Sequence, residues 1–184
     1  MIILVDMDGV IANFESNFLK QWREQYPDHP YIPLEERVGF YVEEQYPPDI
    51  KHLVTGLFRA PNFYRTNPPI PGGLQALNEI REMGHEVFIC TSPLTEYQNC
   101  VLEKYEWVDQ HMGLDWVDRI VLTRDKTLVN GDILIDDRPQ IDGAAKPTWE
   151  HVLYDQPYNR SETGKRRLTW ANWRAVLFGE TITG

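Results

Sequence analysis

Short β-branched runs alternating with amphipathic stretches predict an α/β protein: a doubly wound parallel sheet with a small helical cap inserted after the first strand. Three observations lead there. Apolar runs of about four residues recur along the chain with helical stretches between them, as buried parallel strands require. The segment from about residue 14 to residue 66 carries many aromatics and no convincing strand. The strand-like runs end in polar, reactive residues, the pattern expected where a ligand binds beyond the carboxyl edge of a parallel sheet.

Ile2-Ile3-Leu4-Val5 is too short for a helix on its own and reads as a buried strand. It delivers Asp6 and Asp8, spaced i, i+2, and then Gly9. Strand alternation would send the two carboxylates to opposite faces, so the glycine predicts a sharp turn that lets both approach one site. Asn13 to Tyr26 places Phe14, Phe18, Leu19 and Trp22 at helical spacing, and Pro27, Pro30 and Pro33 break the pattern. Leu34 to Tyr46 and Asp49 to Phe58 read as two further helices separated by Pro47-Pro48. These segments, with Phe63 and Tyr64, form the expected cap, residues 14–66. Residues 1–13 and 67–184 are assigned to the core.

From Pro68 the alternation resumes. Pro71-Gly72-Gly73 opens a helix to about Met83, which Gly84 stops. Val87-Phe88-Ile89-Cys90 is the second strand and delivers Thr91-Ser92-Pro93. A long helix from about Glu96 to His111 ends at Gly113. Arg119 to Thr123 is the third strand, followed by Arg124-Asp125-Lys126. Ile133-Leu134-Ile135 is the fourth, ending in Asp136-Asp137-Arg138-Pro139, and His151 to Tyr154 is the fifth. Lys165-Arg166-Arg167 reads as a solvated loop before a last helix from about Trp170 to Phe178. Trp107, Trp116, Trp149, Trp170 and Trp173 are expected in the core.

At 184 residues the chain fits one domain with a small insertion. A formal net charge of −10 argues against binding a nucleic-acid polymer, which needs a basic face. It does not oppose a small anionic substrate, because a bound divalent cation reverses the local field. No apolar run is long enough to span a membrane, and an opening core strand without a basic leader is not expected of a cleaved signal peptide. Cys90 and Cys100 read as reduced structural thiols, so a cytoplasmic protein is expected. The five histidines form no pair at metal-ligand spacing.

Asp6 and Asp8, Thr91 and Ser92, Arg124 and Lys126, Asp136 and Asp137 all fall at strand ends, which a parallel sheet gathers on one edge. In this order they resemble the four motifs of the haloacid dehalogenase-like (HAD) phosphohydrolases: Asp-Met-Asp-Gly-Val, Ile-Cys-Thr-Ser-Pro, Thr-Arg-Asp-Lys-Thr and Leu-Ile-Asp-Asp-Arg-Pro. Within that superfamily the chain is most similar to the 5′(3′)-deoxyribonucleotidases, through Asp-Gly-Val-Ile-Ala-Asn-Phe14, Glu-Arg-Val-Gly-Phe40, Phe-Ile-Cys-Thr-Ser-Pro, Ile-Val-Leu-Thr-Arg-Asp-Lys-Thr and Trp149-Glu150-His151-Val152-Leu153.

The resemblance implies a Mg²⁺-dependent 5′-nucleotidase in which Asp6 attacks phosphorus and forms an aspartyl-phosphate. Asp8 would act as general acid, then general base. Mg²⁺ would be held by Asp6, the Asp8 backbone carbonyl and Asp137, with Asp136 beside them. Thr91, Ser92, Lys126 and Arg124 are the implied phosphate contacts. Phe14, Phe40, Tyr41 and Phe58 would flank the nucleobase, with Val42 contributing its backbone; aromatic stacking of this kind tolerates any base. The residue-level alternative is that these aromatics are simply the core of the cap. A second aspartate two residues after the first distinguishes the phosphatases from the dehalogenases of this fold. A homodimer is implied by the resemblance alone. Two other readings stay open: a phosphatase of a sugar phosphate or other small phosphomonoester, and a phospho-acceptor or binding protein without turnover.

Overall fold

The computed structural model describes residues 1–179. Six parallel strands form one sheet: β1 (Ile2–Val5), β2 (Glu86–Thr91), β3 (Ile120–Leu122), β4 (Ile133–Asp136), β5 (Glu150–Tyr154) and β6 (Arg167–Leu168), in the spatial order β3-β2-β1-β4-β5-β6. The helices are α1 (Phe14–Gln25), α2 (Lys51–Arg59), α3 (Gly73–Glu82), α4 (Tyr97–Met112), α5 (Leu114–Val117) and α6 (Trp173–Phe178).

The aliphatic runs pair as a two-sided sheet demands. Ile3 and Val5 of β1 lie opposite Ile133 and Ile135 of β4, and Val5 also pairs with Ile89 of β2. Alternation sends Ile3 and Val5 into a large cluster with Ile80, Trp107 and Trp173. Leu4 goes to the other face with Cys90, Leu134 and Trp149. Both faces are therefore covered, which is why these strands read as unbroken hydrophobic runs. The five tryptophans expected in the core are all buried. The sheet order reverses direction between β1 and β4, and crevices at such a switch point are where doubly wound sheets bind ligands.

Residues 14–66 hold α1, α2 and two short 3₁₀ turns, Leu34–Glu36 and Val42–Gln45. Their buried side chains make a separate cluster containing Phe18, Trp22, Tyr46, Leu57, Phe58 and Phe63, to which α4 contributes Cys100. The expected helix over Leu34 to Tyr46 does not form. Arg37 is buried and donates to the carbonyls of Gly39 and Phe40, and Gly39 has φ +90°, so the backbone between the two turns runs extended instead of closing helical hydrogen bonds.

Three further elements differ from the sequence reading. Arg167–Leu168 is a strand, paired with Leu153 and Tyr154, where a solvated loop was expected. The basic triplet there is engaged: Arg167 donates to Asp155 and Asn159, Arg166 to Glu150, and Lys165 to the Pro139 carbonyl. The last helix starts at Trp173 rather than Trp170, because the Asn172 side chain accepts from Thr169 N and holds a turn, and Trp170 donates inward to the Val10 carbonyl at 2.7 Å. After Gly113, at φ +86°, the chain re-enters the short helix α5 before β3.

Candidate active site

Asp6 leaves β1 still held in the sheet, its N–H donating to the Ile135 carbonyl at 2.8 Å. The chain then turns sharply. Gly9 N donates to the Ala12 carbonyl, and Ile11 and Ala12 both donate to the Met7 carbonyl. Gly9 sits at φ +76°, and a Cβ there would run into the Asp137 carboxylate and lie 2.9 Å from the Tyr158 hydroxyl. Glycine is required twice over, by backbone conformation and by space. The turn places Asp6 and Asp8 on the wall of one cavity of about 390 Å³, a volume in the range of small-molecule sites.

Lys126 enters from a 3₁₀ turn after β3, which Asp125 caps by accepting from Thr127 N at 2.9 Å. Its ammonium lies 2.8 Å from Asp6 Oδ1 and 2.6 Å from Asp136 Oδ2. Burial opposes the charge on Lys126, but the carboxylates of Asp136 and Asp6 outweigh it and raise its pKa, so the lysine is a fixed cation. Asp136 also accepts from Arg138 N at 2.9 Å, which engages both of its oxygens. Asp137 differs. Its Oδ2 accepts from the Tyr158 hydroxyl, while its Oδ1 is buried with no hydrogen-bond partner among the described residues. Burial, then the charges of Asp136 and Asp6, push its pKa well up. Ligand oxygens of Asp6, Asp136 and Asp137 all lie within 4.8 Å of one another.

Asp8 faces a residue that the sequence reading missed. Lys104, on α4, donates to Asp8 Oδ2 at 2.5 Å, to Thr91 Oγ1 at 2.6 Å and to the Ser92 carbonyl at 3.1 Å. Burial raises the Asp8 pKa, and Lys104 pulls against that rise. A signal for Lys104 was present. With Cys100, Glu103, Trp107 and Val108 it occupies the buried i, i+3, i+4 face of the helix, where only Glu103 among its neighbours is charged. A lysine on that face needs an anionic partner. Tyr158 was also missed, and its position in a polar loop offered no periodicity to read.

The other expected residues distribute unevenly. Thr91 is buried and bound to Lys104, and Ser92 is exposed at the cavity rim. Arg124 lines the cavity but donates to Thr95 Oγ1 at 2.9 Å. Phe14, Phe40, Tyr41, Val42 and Phe58 all line the cavity. Phe14 and Phe58 are at the same time part of the aromatic packing, with ring centroids 5.8 Å apart, so a core role and a lining role coexist in them. Tyr41 is 45% exposed at the mouth, where Arg138 donates to its hydroxyl at 3.0 Å and lies over the Phe40 ring at 5.7 Å.

Comparison with known proteins adds to this geometry. The family model for 5′ nucleotidase, deoxy (pyrimidine), cytosolic type C protein matches residues 1–178. A Bordetella pertussis protein provisionally named a 5′(3′)-deoxyribonucleotidase is 51% identical over 180 residues, covering 98% of this chain and 97% of that protein. The human 5′(3′)-deoxyribonucleotidase of cytosolic type is 47% identical over 185 residues, covering 95% and 92%. Among solved structures, a magnesium-bound HAD-hydrolase from Bacillus subtilis aligns at TM-score 0.59 with 11% identity, covering 96% of this chain and 98% of that one. The last likeness shows the shared α/β fold.

Proposed function

The chain belongs to the family of 5′ nucleotidase, deoxy (pyrimidine), cytosolic type C proteins, and on that premise we propose that it hydrolyses (deoxy)nucleoside monophosphates to nucleoside and phosphate through an aspartyl-phosphate on Asp6. It is a phosphoric monoester hydrolase of the deoxyribonucleotidase kind. The observation that carries the residue assignment is one cavity lined both by the polar set Asp6, Asp8, Lys126 and Thr91 and by the rings of Phe14, Phe40 and Tyr41. An anionic head and a flat ring on one small molecule match that lining.

A phosphomonoester dianion repels a carboxylate nucleophile, so the site must neutralise charge before Asp6 can approach. Lys126 supplies one fixed positive charge 2.8 Å from Asp6 Oδ1. In the first step an Asp6 oxygen bonds to phosphorus as the ester oxygen leaves, and Asp8 gives that oxygen its proton. The raised pKa of Asp8 makes the protonated form accessible. In the second step water attacks the phosphorus, Asp8 takes the water's proton, and the bond to Asp6 breaks to release phosphate. Lys104 steadies Asp8 in the ionised form that this second step needs. Thr91 and Lys126 are assigned to the phosphoryl oxygens.

The donor set fits a hard divalent cation. Three carboxylates converge within 4.8 Å, all offering oxygen, and Asp137 Oδ1 is buried without a partner among the described residues. Asp6 and Asp137 are assigned as side-chain ligands of Mg²⁺ with the Asp8 carbonyl. Asp136, saturated by Lys126 and Arg138 N, is assigned to orienting Lys126. Bound there, Mg²⁺ supplies additional neutralisation of the phosphoryl charge.

Residues 14–66 are read as the cap that supplies the ring-binding wall, since they carry a core of their own. A cytoplasmic location is supported by two buried free thiols and by the likeness to a cytosolic-type relative. The homodimer implied by the resemblance is carried forward on that ground and read by sedimentation. The test of the whole reading is phosphate release, with and without Mg²⁺, from a panel of (deoxy)nucleoside monophosphates and sugar phosphates, with Asp6→Asn as the blank. Metal-dependent release concentrated on nucleotides is expected. Release concentrated on sugar phosphates overturns the substrate assignment.

A further inference from the structure

Glu15 and Arg37 are both buried, at 5% and 4% exposure, and neither takes part in the chemistry above. Glu15 opens α1, and Arg37 lies in the extended link between the two 3₁₀ turns. The Arg37 guanidinium is bound to the Glu15 carboxylate. It also donates to the Phe40 carbonyl at 3.0 Å and to the Gly39 carbonyl at 3.4 Å. Its carbon sits 5.0 Å above the Tyr158 ring, and the Tyr158 hydroxyl donates to Asp137. The same link is tied to the core a second time, where Gly39 N donates to the Tyr158 carbonyl at 3.3 Å. Phe40, which follows at once, packs its ring edge-on to Tyr158 with centroids 6.1 Å apart.

A buried arginine bound only to a carboxylate would be an isolated structural pair. This one turns its Nη2 to the backbone that carries Phe40, and lies on the tyrosine that holds the phosphate-end carboxylate Asp137. We infer that the Glu15–Arg37 pair is a positioning device that fixes the Phe40 wall in register with the Asp137 end of the site. It thereby sets affinity for substrates long enough to span both ends. The inference rests on the proposed nucleotide reading, in which the base lies against Phe40 while the phosphate lies at Asp6.

The geometry separates substrates. A nucleotide touches both ends and feels a loss of register, whereas a small aryl phosphate engages chiefly the phosphate end. A planar guanidinium can bridge Glu15 and a backbone carbonyl together, and a lysine ammonium in its place cannot hold the same fork. The experiment compares wild type, Arg37→Lys, Arg37→Met and Glu15→Gln. Thermal melting first verifies that each variant is folded; Glu15→Gln and Arg37→Lys keep the test open should Arg37→Met not fold. Then kcat and KM are measured for a deoxynucleoside 5′-monophosphate and for p-nitrophenyl phosphate.

The expected result is a rise of about tenfold in KM for the nucleotide, the order set by one charge-assisted hydrogen bond, with its kcat within about twofold. Constants for p-nitrophenyl phosphate should stay within about twofold as well. A nucleotide KM that stays at the wild-type value in folded variants overturns the inference, and so does an equal fall in kcat/KM for both substrates. A wild-type enzyme with no preference for the nucleotide overturns the reading beneath it, and the inference with it. A preference of undiminished size in every folded variant overturns the inference alone.

Discussion

Replacing Lys104 by methionine keeps a long side chain inside α4 and deletes its charge. In the wild type the Lys104 side chain is 2% exposed, and its ammonium donates to Asp8 at 2.5 Å, Thr91 at 2.6 Å and the Ser92 carbonyl at 3.1 Å. Removing one partner of a buried ion pair costs about 3–5 kcal/mol when the orphaned charge stays ionised. Asp8 has an escape. Burial already raises its pKa and Lys104 is the main opposing influence, so without the lysine Asp8 takes up a proton. The residual loss is then the hydrogen bonds to Thr91 and Ser92, about 1–2 kcal/mol.

The sign follows from proton counting. Above its unfolded pKa, the Asp8 of the unfolded chain has released its proton. In the folded variant Asp8 retains the proton over a range in which the wild type is ionised. The stability of the variant therefore falls relative to wild type as pH rises, by about 1.4 kcal/mol per unit across that range. Urea unfolding of metal-free protein should give a difference of about 1–2 kcal/mol where Asp8 is protonated in the folded state, growing toward about 3–5 kcal/mol as pH rises. In an Asp8→Asn background the same lysine substitution should show no such growth. A difference that is constant with pH in the Asp8 protein would refute the reasoning, because Lys104 would then not be what keeps Asp8 ionised.

Further outcomes follow from other residues. Burial, helped by Lys165, lowers the His151 pKa to about 4, so below the unfolded value of about 6.5 the unfolded chain binds a proton that the folded chain refuses. Stability should fall by about 3 kcal/mol as pH drops through that window, and His151→Gln should flatten the fall in thermal melts; parallel curves would contradict it. Gly9→Ala forces a side chain into φ +76° and against Asp137, so denaturant melts should register a loss of about 1–3 kcal/mol, and phosphate release should drop with it. Wild-type stability there would show that the turn can relax. Cys90 has its thiol pushed up to about 12 by burial, so mass spectrometry should find it unalkylated by iodoacetamide in the folded protein and modified in urea.

What the sequence made legible follows the physics of regular elements. Ile3, Val5, Ile89 and Ile135 form two-sided strands, and two-sided burial imposes unbroken aliphatic runs that are easy to read. Asp6, Lys126 and Asp137 could be placed together because a parallel sheet brings strand ends to one edge irrespective of sequence distance. The arrangement of Asp136 and Asp137 was not legible, since it depends on which oxygens Lys126 and Tyr158 occupy. The link from Arg37 to Tyr41 was misread as helix because its conformation is set by a buried arginine bonding to local carbonyls, a tertiary effect that overrides local propensity. The strand Arg167–Leu168 is too short to carry a periodic signal, and its polar residue is bound to Asp155 and Asn159 across the sheet edge.

The central claim is that Asp6 carries the phosphoryl group between two chemical steps. Mixing enzyme, Mg²⁺ and a deoxynucleoside monophosphate at equal concentrations, quenching in acid within the first turnover and mapping the peptides by mass tests it most directly. The account predicts one added phosphoryl group on the peptide that contains Asp6, appearing before free phosphate, and none on Asp6→Asn. Phosphate released at the full rate with no covalent adduct at any quench time would contradict it, and would assign the displacement to water instead.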